Sequence, residues 1–249
     1  MEVTAVITRA LAAAGHDILQ PLNAARLYSA SLLEKSADPT SLSIVSNIES
    51  SLDAVESILG AVLEMSRLDT GALKPSISTF SLEELLRQVE TDFQPLAKSK
   101  GLSLRTIGTK LHVRSDRNLL RRLIQNLVSN AIKYTRKGGV VVGVRRGRAG
   151  PFLQVADTGI GIAQEMSLQV FKEFTRLDEG IKEAEGLGLG LSIVDRISKV
   201  LGLPVSLQSR RGKGTLAMAD LGSIVAKPEL RTEAKTGESA PSGSMPQTS

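Results

Sequence analysis

His16 is one of only two histidines in a chain of 249 residues that contains no cysteine. Few other side chains can act as nucleophiles near neutral pH, and Asp17 follows at once as a possible base. His16 lies two positions from Ala14 and from Ile18, so it points away from the apolar helix face that they share, toward solvent or a partner. A lone surface histidine is more often only solvated. The apolar face repeats at steps of three and four: Ile7, Leu11, Ala14, Ile18, Leu22, Ala25 and Leu32.

Pro21 lies inside the same helical pattern. A proline in a helix interior costs about 3 kcal/mol and leaves the carbonyl four residues earlier without its donor. A proline that interrupts the helix so close to His16 therefore either has a functional reason or has none.

A second group of polar residues lies on a helix predicted to run from Asp116 to about Tyr134. Asn126 and Asn130 are four apart and share one face, so their amide oxygens could help to hold a Mg²⁺ ion that keeps its waters and phosphate ligands. Lys133 supplies a point charge for phosphate, and Tyr134 offers a ring to a base. Asparagines on a helix are commonly solvated, so this pattern alone is weak.

Asp157 ends an apolar strand and is followed by Gly159 and Gly161. A carboxylate on the floor of a pocket can accept a hydrogen bond from an exocyclic amine such as that of adenine. An ordinary strand-to-loop turn explains the segment equally well.

Three further glycines, Gly186, Gly188 and Gly190, precede a helix that begins near residue 190. Backbone N–H groups at such a place can approach phosphate. The segment does not follow a strand and lacks the Lys-Ser/Thr of a P-loop, which disfavours a dinucleotide or Walker site. The residues between 161 and 186 are expected to form a mobile lid.

Helical periodicity over residues 4–34 and 41–70, with a polar turn at 36–40, predicts an antiparallel helical hairpin. Its apolar stripe would be buried if two chains formed a four-helix bundle. Packing of the hairpin on its own chain is the alternative.

Residues 81–222 alternate predicted helices, at 81–99, 117–134 and 190–201, with strands, which indicates a two-layer α/β sandwich and an α+β protein overall. The expected domains are a hairpin at 1–73, a linker at 74–80, this sandwich, and a disordered tail at 223–249. The predicted strands are 102–107, 111–113, 140–145, 152–156, 205–208 and 215–220.

The composition is that of a cytosolic protein, with 41% hydrophobic residues and no leader, disulfide framework or apolar run long enough to span a bilayer. The net charge is +5, and basic clusters recur, but the chain has no tryptophan and only two tyrosines. Nucleic-acid binding is therefore disfavoured, because interleaved aromatic residues are missing.

Five motifs in order make residues from about 10 to 221 resemble the core of a bacterial sensor histidine kinase. The sequence around His16 most resembles the H box of soluble and hybrid kinases with upstream PAS sensors. The motifs are an H box at His16–Leu22, an N box at Asn126–Thr135, glycine boxes at Asp157–Gly161 and Gly186–Gly190, and an F box at Phe171–Phe174.

The resemblance implies a dimeric phosphotransfer hairpin followed by an ATP-binding domain of the fold shared with gyrase and heat-shock chaperone ATPases. It implies that His16 takes the γ-phosphoryl group of ATP, with Asp17 as the base or orienting acid and a lid residue, Arg176, steadying the charge. Carried over by position, the nucleotide site comprises Asn126 and Asn130 for Mg²⁺, Lys133 for the phosphates, Tyr134 and Asp157 for adenine, and Gly159, Gly161, Phe174, Gly186, Gly188 and Gly190 around them.

Two positions, Asn126 and Gln20, bear on the activity that the resemblance implies. The related ATPases have a water-activating glutamate where this chain has Asn126, so a plain ATPase is disfavoured. Gln20 replaces the usual threonine or asparagine four residues after the histidine, which puts phosphatase activity toward the partner in doubt.

The resemblance also implies a response regulator as acceptor and, since only 15 residues precede His16, either a fragment or a separate sensor protein. A non-catalytic scaffold that docks other kinases is the competing hypothesis. The sequence leaves open the signal, the cognate regulator, and transfer within or between protomers.

Overall fold

The computed structural model describes residues 20–34, 38–69, 74–148, 150–166, 169–171 and 188–226. His16, Asp17, Phe174, Arg176 and Gly186 lie outside these ranges. Two helices open the described chain: α1, residues 20–34, and α2, Pro39–Asp69. No helix within the described ranges is long and apolar enough to cross a membrane.

The start of α2 is fixed by local chemistry. Asp38 Oδ2 accepts hydrogen bonds from the backbone N–H of Ser41 at 2.9 Å and from its hydroxyl at 2.8 Å, as expected of a helix N-cap. These two bonds lower the pKa of Asp38. Pro39 follows at the first helical position, where its missing N–H is no loss.

Polar and small residues join α1 to α2. The guanidinium of Arg26 contacts Glu56 Oε2 at 2.8 Å and Asp53 Oδ1 at 3.6 Å. Ser29 on α1 and Val45 on α2 are buried. Several large apolar side chains of both helices remain exposed in the single chain: Leu27, Tyr28, Leu32, Ile44, Ile48 and Val55.

A five-stranded mixed sheet and three helices form the second part of the chain, which confirms the α+β prediction. The sheet order is β2-β4-β5-β7-β6, and β1 pairs separately with β3. The helices are α3, Leu82–Ser99, α4, Arg117–Tyr134, and α5, Gly190–Leu201. The strands are β1, Ile77–Ser81, β2, Ser103–Thr106, β3, His112–Asp116, β4, Gly139–Gly147, β5, Gly150–Asp157, β6, Val205–Arg210, and β7, Gly214–Asp220.

One face of the sheet is apolar and packs on the helices. Alternate residues of the strands are buried, as the period of a pleated strand requires. Two short 3₁₀ turns, Gln164–Met166 and Gln169–Phe171, lie between β5 and α5. The sheet contributes Val140, Val142, Leu153, Val155, Ala217 and Ala219 to the core, and α4 contributes Leu120, Leu123, Ile124, Leu127, Val128 and Ile132.

The hairpin also touches this core. Leu68, near the end of α2, is buried in the same hydrophobic cluster, and α2 packs against α5. The junction is fastened by Asp116, whose Oδ2 accepts from the backbone N–H of Ser76 at 2.7 Å while its Oδ1 caps α4 through Asn118 and Leu119.

Two expected boundaries differ from the structure. Residues 77–80 of the predicted linker belong to β1, whose exposed polar residues gave no apolar alternation but pair with β3 through the backbone. At the other end, the fold continues past residue 222 to Ala226. Ile224 is buried, and the N–H of Arg114 donates to its carbonyl at 2.7 Å, so three apolar residues after Ser223 close over β3.

Candidate functional site

A cleft opens between α4, the loop after β5 and the beginning of α5. The space between its walls, counted to the open mouth, is about 760 Å³. Its walls are mostly apolar, with a few polar groups, which is the usual composition of a small-molecule site. The sequence predicted six of the lining residues: Asn130, Tyr134, Asp157, Gly161, Gly188 and Gly190.

Asn126 and Asn130 face the first turn of α5. A Cβ atom added to Gly190 would lie 3.1 Å from Asn130 Nδ2, 3.3 Å from Asn130 Oδ1 and 3.4 Å from Asn126 Oδ1, so both amide groups lie beside Gly190. The Asn126 amide nitrogen donates to the carbonyl of Arg122 at 2.9 Å, which fixes the direction of its oxygen. The absence of a side chain at Gly190 keeps this space open, and the arrangement suits a hard cation with oxygen ligands.

Lys133 and Tyr134 end α4, but they occupy different places. Tyr134 lines the cleft, whereas the Lys133 ammonium lies 5.2 Å from the centroid of the Tyr134 ring. Lys100 caps this end of the helix, with its Nζ donating to the carbonyls of Ile132 at 3.3 Å and Lys133 at 3.1 Å. The cap stabilises the negative end of the helix dipole.

Asp157 is half-buried in the cleft and is held by two backbone donors. Its Oδ1 accepts from the N–H of Gly159 at 2.8 Å and from the N–H of Thr215 at 3.1 Å. Burial raises the pKa of this carboxyl above its ordinary value, and the two hydrogen bonds oppose that rise in part. Oδ2 accepts no hydrogen bond from the described residues, so it is available to accept one from a ligand.

The loop from Thr158 to Ile162 is held at its middle residue, Ile160. The N–H of Ile160 donates to the Tyr134 carbonyl at 3.1 Å, and the N–H of Gly212 donates to the Ile160 carbonyl at 2.6 Å. Gly161 has φ of +68°, and a side chain there would strike the carbonyl of Arg210. Glycine is therefore required at 161, and the loop brings Asp157 and Tyr134 to one cleft.

Several lining residues were missed by the sequence analysis. The polar one is Thr215, at the start of β7, whose register partner is Ser209 on β6. Its only sequence signal is the Gly214-Thr215 pair after a basic turn, which indicates a hairpin and no more. The apolar ones are Leu127, Ala131, Val155, Ile160, Ile162, Val170, Leu191, Leu207 and Ala217, most of which alternate along the predicted strands and helices.

Of the expected lid, residues 162–166 and 169–171 are described, whereas Phe174, Arg176 and the expected nucleophile, His16, lie outside the described residues. Phe171 ends a short 3₁₀ turn, Gln169–Phe171, whose Val170 is buried against the cleft. The second histidine, His112, lies exposed in β3 opposite Ser81 and outside the cleft residues.

Two family models match consecutive parts of the chain and together cover more than half of it. Residues 7–71 match the His Kinase A (phospho-acceptor) domain, and residues 115–222 match the histidine kinase-, DNA gyrase B-, and HSP90-like ATPase family. The chain belongs to the sensor histidine kinases.

Relatives of this histidine kinase core are much longer proteins. It is 30% identical to the sensor protein GacS of Pseudomonas syringae pv. syringae over 224 residues, which are 86% of this chain and 25% of GacS. It is 31% identical over 228 residues to the autoinducer 2 sensor kinase/phosphatase LuxQ of Vibrio cholerae, which are 88% of this chain and 27% of LuxQ. The chain thus spans about a quarter of the length of these relatives.

Solved histidine kinases share its fold. Full-length ShkA, crystallised in complex with AMPPNP, aligns with a TM-score of 0.77 at 28% identity over 88% of this chain and 46% of ShkA. The histidine kinase AdeS of Acinetobacter baumannii aligns with a TM-score of 0.56 at 20% identity, covering 82% of this chain and 96% of AdeS, which supports the fold alone.

Proposed function

We propose that this chain is an ATP-dependent histidine autokinase that phosphorylates His16 and passes the phosphoryl group to an aspartate of a separate response regulator. The observation that carries the proposal is the cleft, where a half-buried acceptor, Asp157, lies among apolar lining residues and the amide groups of Asn126 and Asn130 lie together beside Gly190. An adenine base and a metal-bound phosphate chain have this distribution of chemistry.

The residues present fit ATP and Mg²⁺. Asp157 Oδ2 accepts from the exocyclic amine of adenine, while Tyr134 and the apolar wall cover the ring. Asn126 and Asn130 contribute oxygens to Mg²⁺, which, when bound, neutralises charge on the phosphates. We assign Lys133, Gly186 and Gly188 to the phosphates, because the N–H groups of glycines that precede a helix can approach phosphate.

Hydrolysis is disfavoured by the same geometry. Asp157 is the only carboxylate among the described residues that line the cleft, and it is held by Gly159 and Thr215 at the base end. Position 126 carries an amide, which cannot take a proton from water. A nucleophile must therefore come from outside the cleft, and His16 is our candidate.

In the proposed transfer, a ring nitrogen of His16 forms a bond to the γ-phosphorus as the bond from that phosphorus to the ADP oxygen breaks. Asp17 takes or orients the imidazole proton, and ADP leaves with the negative charge. Arg176 stabilises the charge on the transferring group, and Phe174 is part of the lid around it.

The hairpin supplies the proposed dimer interface. Leu27 and Tyr28 each keep 73% of their surface exposed in the single chain, an unfavourable state for large apolar side chains. A second hairpin would cover them and complete a four-helix bundle. We place the homodimer in the cytoplasm, with a sensor on the same or a separate protein and the receiver domain of a response regulator as the acceptor.

Incubation with γ-labelled ATP and Mg²⁺ tests this function, with the label and the released phosphate measured together. We expect label in the protein in an acid-labile, alkali-stable linkage and little free phosphate. Free phosphate without labelled protein would indicate an ATPase, and a failure to bind ATP–Mg²⁺ would indicate a scaffold.

A further inference from the structure

Ser209 and Thr215 face each other across the β6–β7 hairpin, with their hydroxyl oxygens 2.8 Å apart. Ser209 Oγ also accepts from the N–H of Ile162 at 2.8 Å and lies 2.9 Å from the carbonyl oxygen of Gly214, to which it can donate. Both hydroxyls are half-buried, and Thr215 lines the cleft. Ser209 therefore lies behind a cleft residue and does not line the cleft itself.

The direction of the hydrogen bond between the two hydroxyls follows from counting hydrogens. Each hydroxyl has one hydrogen, the Ile162 amide can only donate, and the Gly214 carbonyl can only accept. If Thr215 donates to Ser209 and Ser209 donates to Gly214, three hydrogen bonds form. If Ser209 donates to Thr215 instead, only two form and the Gly214 carbonyl loses this donor. The first arrangement is favoured because half-buried polar groups are best left paired.

It follows that the Thr215 hydroxyl donates its hydrogen to Ser209 Oγ and not to a ligand in the cleft. Its oxygen then offers only lone pairs to the cleft. Asp157 Oδ2 is also an acceptor, and the Thr215 N–H bonded to Oδ1 keeps the two side chains together. The base end of the cleft thus presents two acceptors, which match the two hydrogens of an exocyclic amine.

We infer that Ser209 is a specificity-determining positioning residue, which makes the Thr215 hydroxyl an acceptor and so selects a 6-aminopurine over a 6-oxopurine. The inference rests on the proposed nucleotide site and adds a residue outside the cleft to it. Its mechanism is hydrogen-bond polarity, because a carbonyl at position 6 would meet two acceptors and gain no donor.

Calorimetric titration with ADP and IDP tests the inference. The two nucleotides differ at position 6 of the base, and neither carries the 2-amino group of guanine. In Ser209→Ala the hydrogen of Thr215 is released and can turn toward a carbonyl. We expect the ratio of the IDP to the ADP dissociation constant to fall about fivefold, the effect of one net hydrogen bond.

Two variants separate polarity from loss of structure. Ser206→Ala removes a hydroxyl from an exposed position of the same strand and should leave the ratio unchanged. Ser209→Thr keeps the hydroxyl and should restore the ratio. If the effect passes through Thr215, Ser209→Ala should not change the ratio further in a Thr215→Val background.

An unchanged ratio in folded Ser209→Ala, or equal weakening of both nucleotides, would overturn the inference and leave the nucleotide site intact. A wild-type chain that binds neither nucleotide would overturn the proposed function itself. If Ser209→Ala does not fold, Thr215→Val tests the same polarity at the residue that faces the cleft. Loss of the acceptor hydroxyl should lower the ratio of the IDP to the ADP dissociation constant, and an unchanged ratio in folded Thr215→Val would overturn the inference.

Discussion

Replacement of Asp157 by asparagine should change what the cleft binds without unfolding the domain. The two N–H groups that hold the side chain both donate to Oδ1, from Gly159 at 2.8 Å and from Thr215 at 3.1 Å. An asparagine oxygen can accept both bonds in the same place. The change is then confined to the place of Oδ2, where the asparagine has an Nδ2 group that donates hydrogen bonds and cannot accept them.

The size of the effect follows from that position. A hydrogen bond from the adenine amine to a charged acceptor is worth about 2 kcal/mol net, and the variant puts two donors face to face instead. We expect ADP to bind roughly thirtyfold more weakly to Asp157→Asn, since 1.4 kcal/mol corresponds to a factor of ten. IDP, with a carbonyl at position 6, should lose much less.

The free energy of unfolding of Asp157→Asn should rise although its affinity for ADP falls. Because burial raises the pKa of Asp157, the charged form opposes folding at neutral pH, and Asp157→Asn should be slightly more stable there. As the pH falls through the raised pKa toward the ordinary value of 3.8, the carboxyl is protonated and the difference should disappear. Urea unfolding of both proteins at neutral and acid pH measures this.

Asp220→Asn is a matched control. Asp220 also ends a strand, and its Oδ1 accepts from the N–H of Gly222 at 2.8 Å, but it is exposed and does not line the cleft. Calorimetry should find unchanged ADP affinity in this variant. Unchanged affinity in folded Asp157→Asn would refute the assignment of Asp157 to the base.

Three further variants test other parts of the account. Gly190→Ala places a Cβ atom 3.1 Å from Asn130 Nδ2 and 3.4 Å from Asn126 Oδ1. Calorimetry should show that the affinity for ADP falls about tenfold in the presence of Mg²⁺ and changes little in its absence. Equal losses of affinity with and without Mg²⁺ would argue against a metal role for the two asparagines. Asp116→Ala removes the acceptor of three backbone N–H groups and should lower the free energy of unfolding in urea by about 3 kcal/mol, whereas an unchanged value would contradict its fastening role. Pro21→Ala should stabilise the hairpin in thermal unfolding and change the rate of phosphoryl transfer to a receiver, and identical rates would leave Pro21 without a mechanistic role.

Local chemistry explains why much of the fold was predictable. Asp116 as an N-cap and the apolar face of α4 predicted that helix from Arg117 to Tyr134, as observed. The strands that line the core alternate apolar and polar residues, so their existence was predicted. Most of them are longer than predicted, and β2 is shorter by one residue at each end. β1 was missed because its pairing with β3 depends on backbone hydrogen bonds, which carry no sequence pattern.

The site was predictable only where a single segment determines the geometry. Asn126 and Asn130 share a helix face whatever else the chain does, and Asp157 follows its strand. The role of Thr215 depends on the register of β6 with β7 and on a contact across 58 residues with Asp157, which no local spacing encodes. Lys133 was expected at the phosphates from its position, which stays a prediction, and its ammonium lies 5.2 Å from the centroid of the Tyr134 ring.

The central claim is that His16 receives the phosphoryl group, and the chain offers its own control because it has only two histidines. Labelling with γ-labelled ATP and Mg²⁺ should be compared in wild type, His16→Gln and His112→Gln. We predict that His16→Gln abolishes the acid-labile label and that His112→Gln, changed in an exposed strand position, retains it. Full labelling of His16→Gln would contradict the account.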